Sequence, residues 1–405
     1  MSELPVICVF GAKDIQLFSA GPVPQFETDE IDCRCYPSDD RLHEILAQDR
    51  PVAIVSFGKL EDFPSLMASP FCVRKMWVNY PDTSDLRGKG WGAFYCFLSN
   101  ALNQRKDVEP LVSIFTPAYR TGDKIFRPFN SLLAQTYKNW EWVIYDDSGD
   151  DDKTFKVLSE MAKKDFRVRV YKGSERSGVI GNVKKTVCGL SRGDFLVELD
   201  HDDELTPDAI RRVVDTYRKY PDVGFVYSDF AECYEDGNLF TYGPGWGLGY
   251  GSYREETHNG VKYMVVNSPR INAKVIRHIV AAPNHLRSWR KSVYDAIGGH
   301  NEFFRVVDDY ELMVRTFLHT RMALIPKMCY VQYRNDTGNA SQLRNKDIQR
   351  MVRYVSQFYD QKIHERLLEL GVNDFVWKEG ESTFNQLGIS PQEKESHCTI
   401  ISDAD

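Results

Sequence analysis

The sequence predicts an α/β protein with a mostly parallel central sheet, and two observations support this prediction. Short apolar runs typical of buried strands alternate with helical patterns from Leu111 to Tyr227, as in parallel sheets with crossover helices. Two of these strands run directly into acidic clusters, Asp146-Asp147 and Asp200–Asp203. Because ligands of such sheets bind outside the carboxyl ends of the strands, we expect both clusters at one functional edge.

Length and composition bound the class of protein. The 405 residues are enough for two or three domains, and 42% apolar with 27% charged residues is typical of a soluble globular protein. A net charge of −7 without long like-charge blocks argues against nucleic acid as a partner. No apolar run approaches the roughly 20 residues of a membrane-spanning helix. The first ten residues lack the features of a signal peptide, and the nine scattered cysteines indicate free thiols. We therefore predict a cytoplasmic protein without a transmembrane segment.

The first region is expected to be a small α/β accessory domain at residues 1–105, followed by a polar linker that ends at Pro110. Apolar runs alternate there with helical spacing. No glycine-rich phosphate loop or catalytic set is evident in it. The segments that carry this pattern are Val6–Phe10, Ile31–Tyr36, Arg41–Gln48, Val52–Phe57 and Val73–Val78.

The second region, residues 110–341, carries the long strand–helix series. Its helices are predicted from apolar faces at helical spacing and, for the last, from the cap Thr206-Pro207. Strands are predicted at Leu111–Thr116, Glu141–Tyr145, Arg167–Tyr171, Phe195–Leu199 and Val223–Tyr227. The helices between them are predicted around Ile125–Leu133, Phe155–Ala162, Val179–Leu190 and Thr206–Tyr220.

After Asp229 the regular pattern weakens. A stretch rich in glycine and aromatic residues, Tyr242–Tyr253, predicts a long loop. The final residues, 391–405, are polar and predicted to be disordered, after a helical extension at 342–390. Regular elements are predicted at Arg290–Ile297 (helix), Asp309–His319 (helix), Leu324–Tyr333 (strand) and Lys346–Leu370 (helix).

The acidic turn after the strand Phe195–Leu199 offers two carboxylates to one cation. Side chains two apart, Asp200 and Asp202, can converge on a turn although they could not on a regular strand. Oxygen ligands of this kind hold Mn²⁺ or Mg²⁺ against phosphate groups. Such acidic pairs are common on surfaces, but the apolar strand before this one and the capped helix after it supply the context of a binding turn.

Four segments in order resemble GT-A fold family 2 glycosyltransferases, over about Val112–Ser341. The resemblance implies a GT-A fold, a metal-dependent mechanism and transfer of a sugar with inversion. The matching segments are Val112–Arg120, Ser131–Asp152, Ser177–Ile210 and Ile297–Arg315.

Roles follow from this resemblance residue by residue. Pro117, Tyr119 and Asp147 would line the nucleobase pocket, and Asp200 would face the ribose or the surroundings of the metal. Asp202, with Asp203 beside it, would hold Mn²⁺ or Mg²⁺. Asp309 would be the base that takes the acceptor proton. Possible phosphate or acceptor contacts are Arg176, Asn182, Trp246, His285 and Asp308.

Several of these residues have a second interpretation. Tyr119 could pack in the core, Asp147 or Asp309 could cap a helix, and His285 could be a surface histidine. The chain also departs from the family pattern, since Gly181 stands before Asn182 where an arginine is frequent.

Other functions fit less well. A nicotinamide-dependent oxidoreductase needs a Gly-x-Gly-x-x-Gly turn after its first strand, and the turn Pro117–Gly122 has none. A nucleotidyltransferase would need a basic, glycine-rich loop at the same place. The remaining alternative is a catalytically inactive nucleotide-binding or scaffold domain. The expected partners are a nucleotide-sugar donor, most often a UDP-sugar in this family, and a glycan or other hydroxyl acceptor; the oligomeric state stays open.

Overall fold

The computed structural model describes residues 6–11, 32–69, 71–74, 76–82, 97–98, 110–243, 246–279, 282–334 and 344–377. The chain divides into two compact units, one of residues 1–109 with 162–167 and one of residues 110–161 with 168–405. None of the helices in the described ranges is long and apolar enough to cross a membrane. The tail predicted at 391–405 lies outside the described residues.

The N-terminal unit contains a four-stranded parallel sheet in the order β2-β1-β3-β4. The predicted α/β character of this region is confirmed, although the apolar run Val73–Val78 divides between a short helix and a strand. The carboxylate of Asp49 ties the sheet to the first helix by accepting hydrogen bonds from Tyr36 and Arg34. The elements are β1 (Val6–Phe10), β2 (Asp32–Tyr36), α1 (Leu42–Asp49), β3 (Ala53–Phe57), α2 (Pro64–Met67), α3 (Phe71–Arg74) and β4 (Trp77–Tyr80).

The second unit is built on a ten-stranded sheet whose main path runs β11-β12-β10-β13-β8-β5-β6-β7, with β14 beside β10 and β9 beside β14. Its strands are β5 (Val112–Ala118), β6 (Trp140–Asp146), β7 (Val168–Lys172), β8 (Phe195–Glu198), β9 (Glu204–Leu205), β10 (Val223–Tyr234), β11 (Ser252–His258), β12 (Val261–Asn267), β13 (Arg287–Arg290) and β14 (Arg321–Arg334). Its helices are α4 (Phe126–Leu133), α5 (Lys153–Ala162), α6 (Ile180–Leu190), α7 (Ala209–Lys219), α8 (Val275–His278), α9 (Lys291–Ala296), α10 (Asp308–His319) and α11 (Asn345–Glu369).

The predicted α/β fold class, with parallel strands in the central sheet, is confirmed. Strands β7, β6, β5 and β8 pair in parallel, and β10 pairs in parallel with β14. The antiparallel strand β13 lies between β8 and β10. Every residue of Val112–Ala118 is buried, as expected for a central strand covered on both faces. This arrangement brings the ends of β5, β6 and β8 to one edge of the sheet.

Two differences from the predicted elements lie between β10 and α8. The predicted loop Tyr242–Tyr253 is shorter, because a 3₁₀ turn forms at Trp246–Gly249 and β11 begins at Ser252. The hairpin of β11 and β12 was not predicted. Its turn, Asn259-Gly260, has positive φ at both residues, as two-residue hairpins require. Strand β11 is an edge strand of charged and polar residues, which gives no apolar signal.

The predicted C-terminal helix is confirmed at Asn345–Glu369, where it belongs to the same unit as the sheet. A fully buried arginine on α8, Arg277, pairs with Asp360 at 2.6 Å and with Asp374 at 2.8 Å. Buried charges of this kind are tolerated only when they are paired, so this cluster fixes where the helix packs. Among the described cysteines all are free thiols.

Candidate active site

The acidic turn between β8 and β9 is held by two tyrosines of β14. Asp203 is buried, and its Oδ2 accepts a hydrogen bond from the Tyr330 hydroxyl at 2.8 Å. Its Oδ1 accepts one from the backbone N–H of Tyr333 at 2.7 Å. The same Tyr330 hydroxyl accepts a hydrogen bond from the backbone N–H of Asp200 at 3.1 Å. These contacts close the turn and occupy the Asp203 carboxylate, whose pKa burial raises well above the usual value, with further contributions from the charges of Asp202 and Asp200.

Asp202 is placed differently from its neighbour. Its backbone carbonyl accepts a hydrogen bond from the Arg127 guanidinium, and its side chain is 14% exposed. Its carboxylate lies 3.8 Å from His201 Nδ1, and none of the residues that the structure describes donates a hydrogen bond to it. Asp200 is half-buried, and burial, followed by the nearby charge of Glu198, raises its pKa.

The carboxylates at this turn fit a metal ion whose remaining coordination positions are filled by a bound substrate and water. Within the described ranges, no three His, Cys, Asp or Glu side chains come together as a ready-made cage. Mg²⁺ is commonly bound through one or two carboxylates, with substrate phosphates and water as the other ligands. The Asp202 carboxylate suits that mode, whereas both oxygens of Asp203 already have partners.

Asp309 lies in the first turn of α10, which begins at Asp308. Its Oδ2 pairs with Nη1 of Arg287 at 3.0 Å, and its side chain is 30% exposed. Its Oδ1 accepts a hydrogen bond from the backbone N–H of Tyr310, and no side-chain cap bond is formed at this helix start. Burial opposes ionisation of Asp309, but the charges of Arg287 and Lys184 and the hydrogen bond from Arg287 together outweigh it and hold the pKa of Asp309 below its usual value.

Charged side chains behind Asp309 were not predicted from sequence. Glu198, on β8, pairs through Oε2 with Arg287 Nε at 3.0 Å and through Oε1 with Lys184 Nζ at 2.7 Å. Lys184, on α6, also lies 3.7 Å from Asp308. The sequence signal was a glutamate within an apolar strand and a lysine on the buried side of a helix, since such charges need partners when they are buried.

The residue before these acids has an unusual backbone. Val307 precedes α10 in the left-handed region, with φ of 57° and ψ of 18°. This conformation is rare for a β-branched residue and costs about 1–3 kcal/mol. Val307 is buried, so the surrounding packing holds it in place. The strained backbone therefore sets the direction from which Asp308 and Asp309 enter the site.

The residues predicted for the nucleobase pocket lie at the ends of β5 and β6. Pro117 is buried within β5. Tyr119 is 42% exposed, so the alternative of core packing is wrong. Asp147 accepts hydrogen bonds from the backbone N–H groups of Ser177 (2.6 Å) and Gly178 (3.0 Å). Asp147 thus anchors a loop rather than a helix, and each of its oxygens keeps a second lone pair.

Arg176 belongs to the same loop. Its guanidinium lies 4.7 Å from the centre of the Tyr119 ring, and its side chain passes over Gly149, where a Cβ atom would come within 3.3 Å of it. Asn182 donates a hydrogen bond to the Ser177 hydroxyl at 2.9 Å. Next to it, Gly181 lies so close to the chain that a Cβ atom there would be 2.0 Å from the carbonyl oxygen of Asn301.

The remaining predicted contacts differ in their surroundings. His285 is buried, and its ring stacks on Tyr330 with centroids 4.2 Å apart, so the surface alternative is wrong. Burial lowers the pKa of His285 to about 3, which keeps the ring neutral. Asp308 is buried beside Lys184. The backbone of Trp246 lies in the 3₁₀ turn, and its side chain lies outside the described part of the structure.

The sequence of the chain is similar to those of known glycosyltransferases and polysaccharide synthases. Residues 113–276 match the family model described as "Glycosyl transferase family 2". A chondroitin synthase of Escherichia coli is 28% identical over 268 residues, which is 66% of this chain and 34% of that protein. An E. coli protein named UDP-Glc:alpha-D-GlcNAc-diphosphoundecaprenol beta-1,3-glucosyltransferase WfgD is 30% identical over 120 residues, 30% of this chain and 46% of that protein.

A solved structure also aligns with the chain. S. aureus TarS 1-349 in complex with UDP-GlcNAc is 14% identical with a TM-score of 0.46, covering 64% of this chain and 72% of that one. The chain spans 34% or less of the length of the chondroitin and hyaluronan synthases that it matches.

Proposed function

Because residues 113–276 match the glycosyl transferase family 2 model, we propose that the chain transfers a sugar from a nucleotide-sugar donor to an acceptor hydroxyl, with inversion at the transferred carbon. One observation carries the proposal. Asp200 in the acidic turn and Asp309 on α10 are about a hundred residues apart, yet the charges of Arg287 and Lys184 act on both of them, and Arg287 contacts Asp309 directly.

The donor nucleotide is assigned to the ends of β5 and β6. Tyr119 offers an exposed aromatic face for a base, and the neighbouring Arg176 carries a positive charge toward the same ring. Asp147 fixes the loop that carries Arg176 and has lone pairs left for a donor N–H of the base. A UDP-sugar is the proposed donor, which agrees with the UDP-glucose in the name of one relative.

Asp202 is the proposed protein ligand of Mn²⁺ or Mg²⁺. When bound, such a cation neutralises charge that develops on the departing diphosphate. Arg127 holds the backbone of Asp202, and Tyr330 holds Asp203 and Asp200, so the turn is rigid before any ligand arrives. Asp203 is proposed as a support for this turn.

The acceptor hydroxyl is assigned to the exposed side of Asp309. The oxygen of the acceptor hydroxyl attacks the anomeric carbon of the donor sugar while the bond from that carbon to the diphosphate oxygen breaks. The proton of the hydroxyl passes to the Asp309 carboxylate. The lowered pKa keeps the Asp309 carboxylate ionised at neutral pH, which a proton acceptor requires, although it also makes the carboxylate a weaker base. The acceptor is proposed to be a hydroxyl of a glycan, the product class that the names of the relatives indicate.

Nucleotide release from UDP-, GDP- and dTDP-sugars, with Mn²⁺ or with EDTA, tests the proposal. The samples are wild type, Asp202→Asn and Asp309→Asn, and donor binding is measured by calorimetry in parallel. We expect metal-dependent release from one donor and a loss of at least about 100-fold in both variants. Asp309→Asn should still bind the donor. A wild type that neither binds nor turns over any of these donors would favour the scaffold alternative.

A further inference from the structure

Three ion pairs in series connect Lys184 on α6 to Asp309 on α10. Lys184 contacts Glu198 at 2.7 Å, Glu198 contacts Arg287 at 3.0 Å, and Arg287 contacts Asp309 at 3.0 Å. The side chains of the first three are each at most 9% exposed. Only Asp309, at the end of the series, reaches solvent to a larger degree.

Stability alone gives no reason for such a series. Charges that are removed from water lose hydration, and a buried ion pair is often no more stabilising than apolar side chains of similar volume. An arginine fork, however, fixes direction, because its planar guanidinium presents N–H groups at set angles. Arg287 donates a hydrogen bond from Nη1 to Asp309 and forms an ion pair with Glu198, whose Oε2 lies 3.0 Å from Nε, so the two carboxylates share one guanidinium.

We propose that Arg287 is a positioning residue for Asp309, and that Glu198 and Lys184 hold Arg287 in its working orientation. The inference rests on the proposed function of Asp309 as the base. Arg287 takes Oδ2 and the backbone N–H of Tyr310 takes Oδ1, which fixes the plane of the carboxylate. The exposed part of Asp309 then meets the acceptor hydroxyl in one orientation.

The alternative is that these residues are only part of the core. A second buried pair in the same unit provides a matched control, because Arg169 Nη1 lies 2.8 Å from Glu141 Oε2 with 9% and 2% of the side chains exposed. Glu141 is the second residue of β6, a strand whose last residue, Asp146, is at the functional edge. The control pair is therefore about 15 Å from that edge along the strand.

The experiment compares Arg287→Lys and Glu198→Gln with Arg169→Lys and Glu141→Gln. Each protein is tested for melting temperature, donor affinity and kcat for sugar transfer. We expect kcat to fall about 10- to 100-fold in the first two variants, since misplacement of a catalytic group by about 1 Å has effects of that size. Donor affinity should stay within about threefold of wild type. The control variants should lose melting temperature without losing kcat.

Chemical rescue provides a second readout that a purely structural role would not move. Added guanidinium should restore part of the kcat of Arg287→Ala and have no such effect on Arg169→Ala. A wild-type kcat in folded Arg287→Lys and Glu198→Gln would overturn the positioning role and leave the proposed function intact. A wild type that binds donor but transfers no sugar to any acceptor would overturn both.

Discussion

Arg127 donates a hydrogen bond to the backbone carbonyl of Asp202. The same guanidinium pairs with Glu235 at 2.6 Å and lies 3.5 Å from the centre of the Tyr333 ring. The Arg127 guanidinium thus holds the acidic turn through its backbone, and the Asp202 carboxylate remains available to bind a metal ion. Asp200, Asp202 and Asp203 lie within four consecutive residues, yet Arg127 holds the backbone of Asp202, whereas the Tyr330 hydroxyl contacts both the backbone of Asp200 and the side chain of Asp203.

Replacing Arg127 with methionine should weaken metal binding without removing a metal ligand. Methionine has no guanidinium, so the hydrogen bond to the Asp202 carbonyl is lost together with the ion pair to Glu235 and the contact with the Tyr333 ring. Supporting residues of metal ligands typically contribute 10- to 100-fold to affinity, so we expect the Mn²⁺ concentration for half-maximal activity to rise about tenfold. A titration of activity with Mn²⁺ at saturating donor measures this. An unchanged midpoint would contradict the role given to Arg127.

Replacing Tyr330 with phenylalanine should reduce both stability and activity. The ring can still stack on His285, but the buried Asp203 carboxylate loses a hydrogen-bond donor, at a cost of about 1–3 kcal/mol in the free energy of unfolding. Urea unfolding measures that cost.

Tyr217→Phe is the control for this experiment. Its buried hydroxyl donates to the backbone carbonyl of Ser288 at 2.8 Å. We expect a loss of about 1 kcal/mol there without a change in the metal dependence of activity. Tyr330→Phe, in contrast, should change the metal dependence of activity, because Tyr330 holds Asp203 and Asp200. Equal metal dependence in both variants would argue against a special role for Tyr330.

Asp308→Asn should become more stable relative to wild type as the pH rises. Burial raises the pKa of Asp308 to about 6, although the charge of Lys184 opposes this. Between pH 4 and 6 the folded state then binds more protons at this site than the unfolded state, so the wild type loses stability as pH rises. The shift corresponds to about 3 kcal/mol at most by pH 7. Unfolding in urea at pH 4.5 and 7 measures it, and a pH-independent difference would show that Asp308 ionises normally.

Tyr119→Ala should weaken donor binding, whereas Tyr119→Phe should not. Stacking of a base on an aromatic ring contributes about 1–3 kcal/mol, so the dissociation constant for the donor should rise about tenfold or more in the alanine variant. Calorimetry with UDP measures this. Tyr354, an exposed tyrosine on α11, provides the matched control, because its replacement with alanine should leave UDP affinity unchanged.

The parallel strands and their order along the chain could be predicted because each is a short apolar run between helical patterns. The hairpin of β11 and β12 could not, since its edge strand consists of polar and charged residues apart from Tyr253. Strand β13 was also missed, because its four residues include two arginines and only one large apolar side chain, Trp289.

The positions of the candidate acids were evident from the strand ends and from the family resemblance, whereas their partners were not. Arg287 and Tyr330 are distant in sequence from the acids that they contact, and Tyr330 is 127 residues from Asp203. Neither residue type in its own segment indicates such a contact. The left-handed backbone conformation of Val307 has no sequence signal either, since glycine or asparagine would be expected at positive φ.

The close approach at Gly181 limits how this site can be re-engineered. An arginine is frequent at this position in the resembling family, and transplanting one would be an obvious way to strengthen a phosphate contact. Any side chain would meet the carbonyl of Asn301, a backbone atom that cannot swing away like a side chain. The chain from Asn301 leads in seven residues to Asp308, so a side chain added at Gly181 would displace the backbone that leads to Asp308 and Asp309. A phosphate contact added at position 181 would therefore have to be designed together with a new path for that loop.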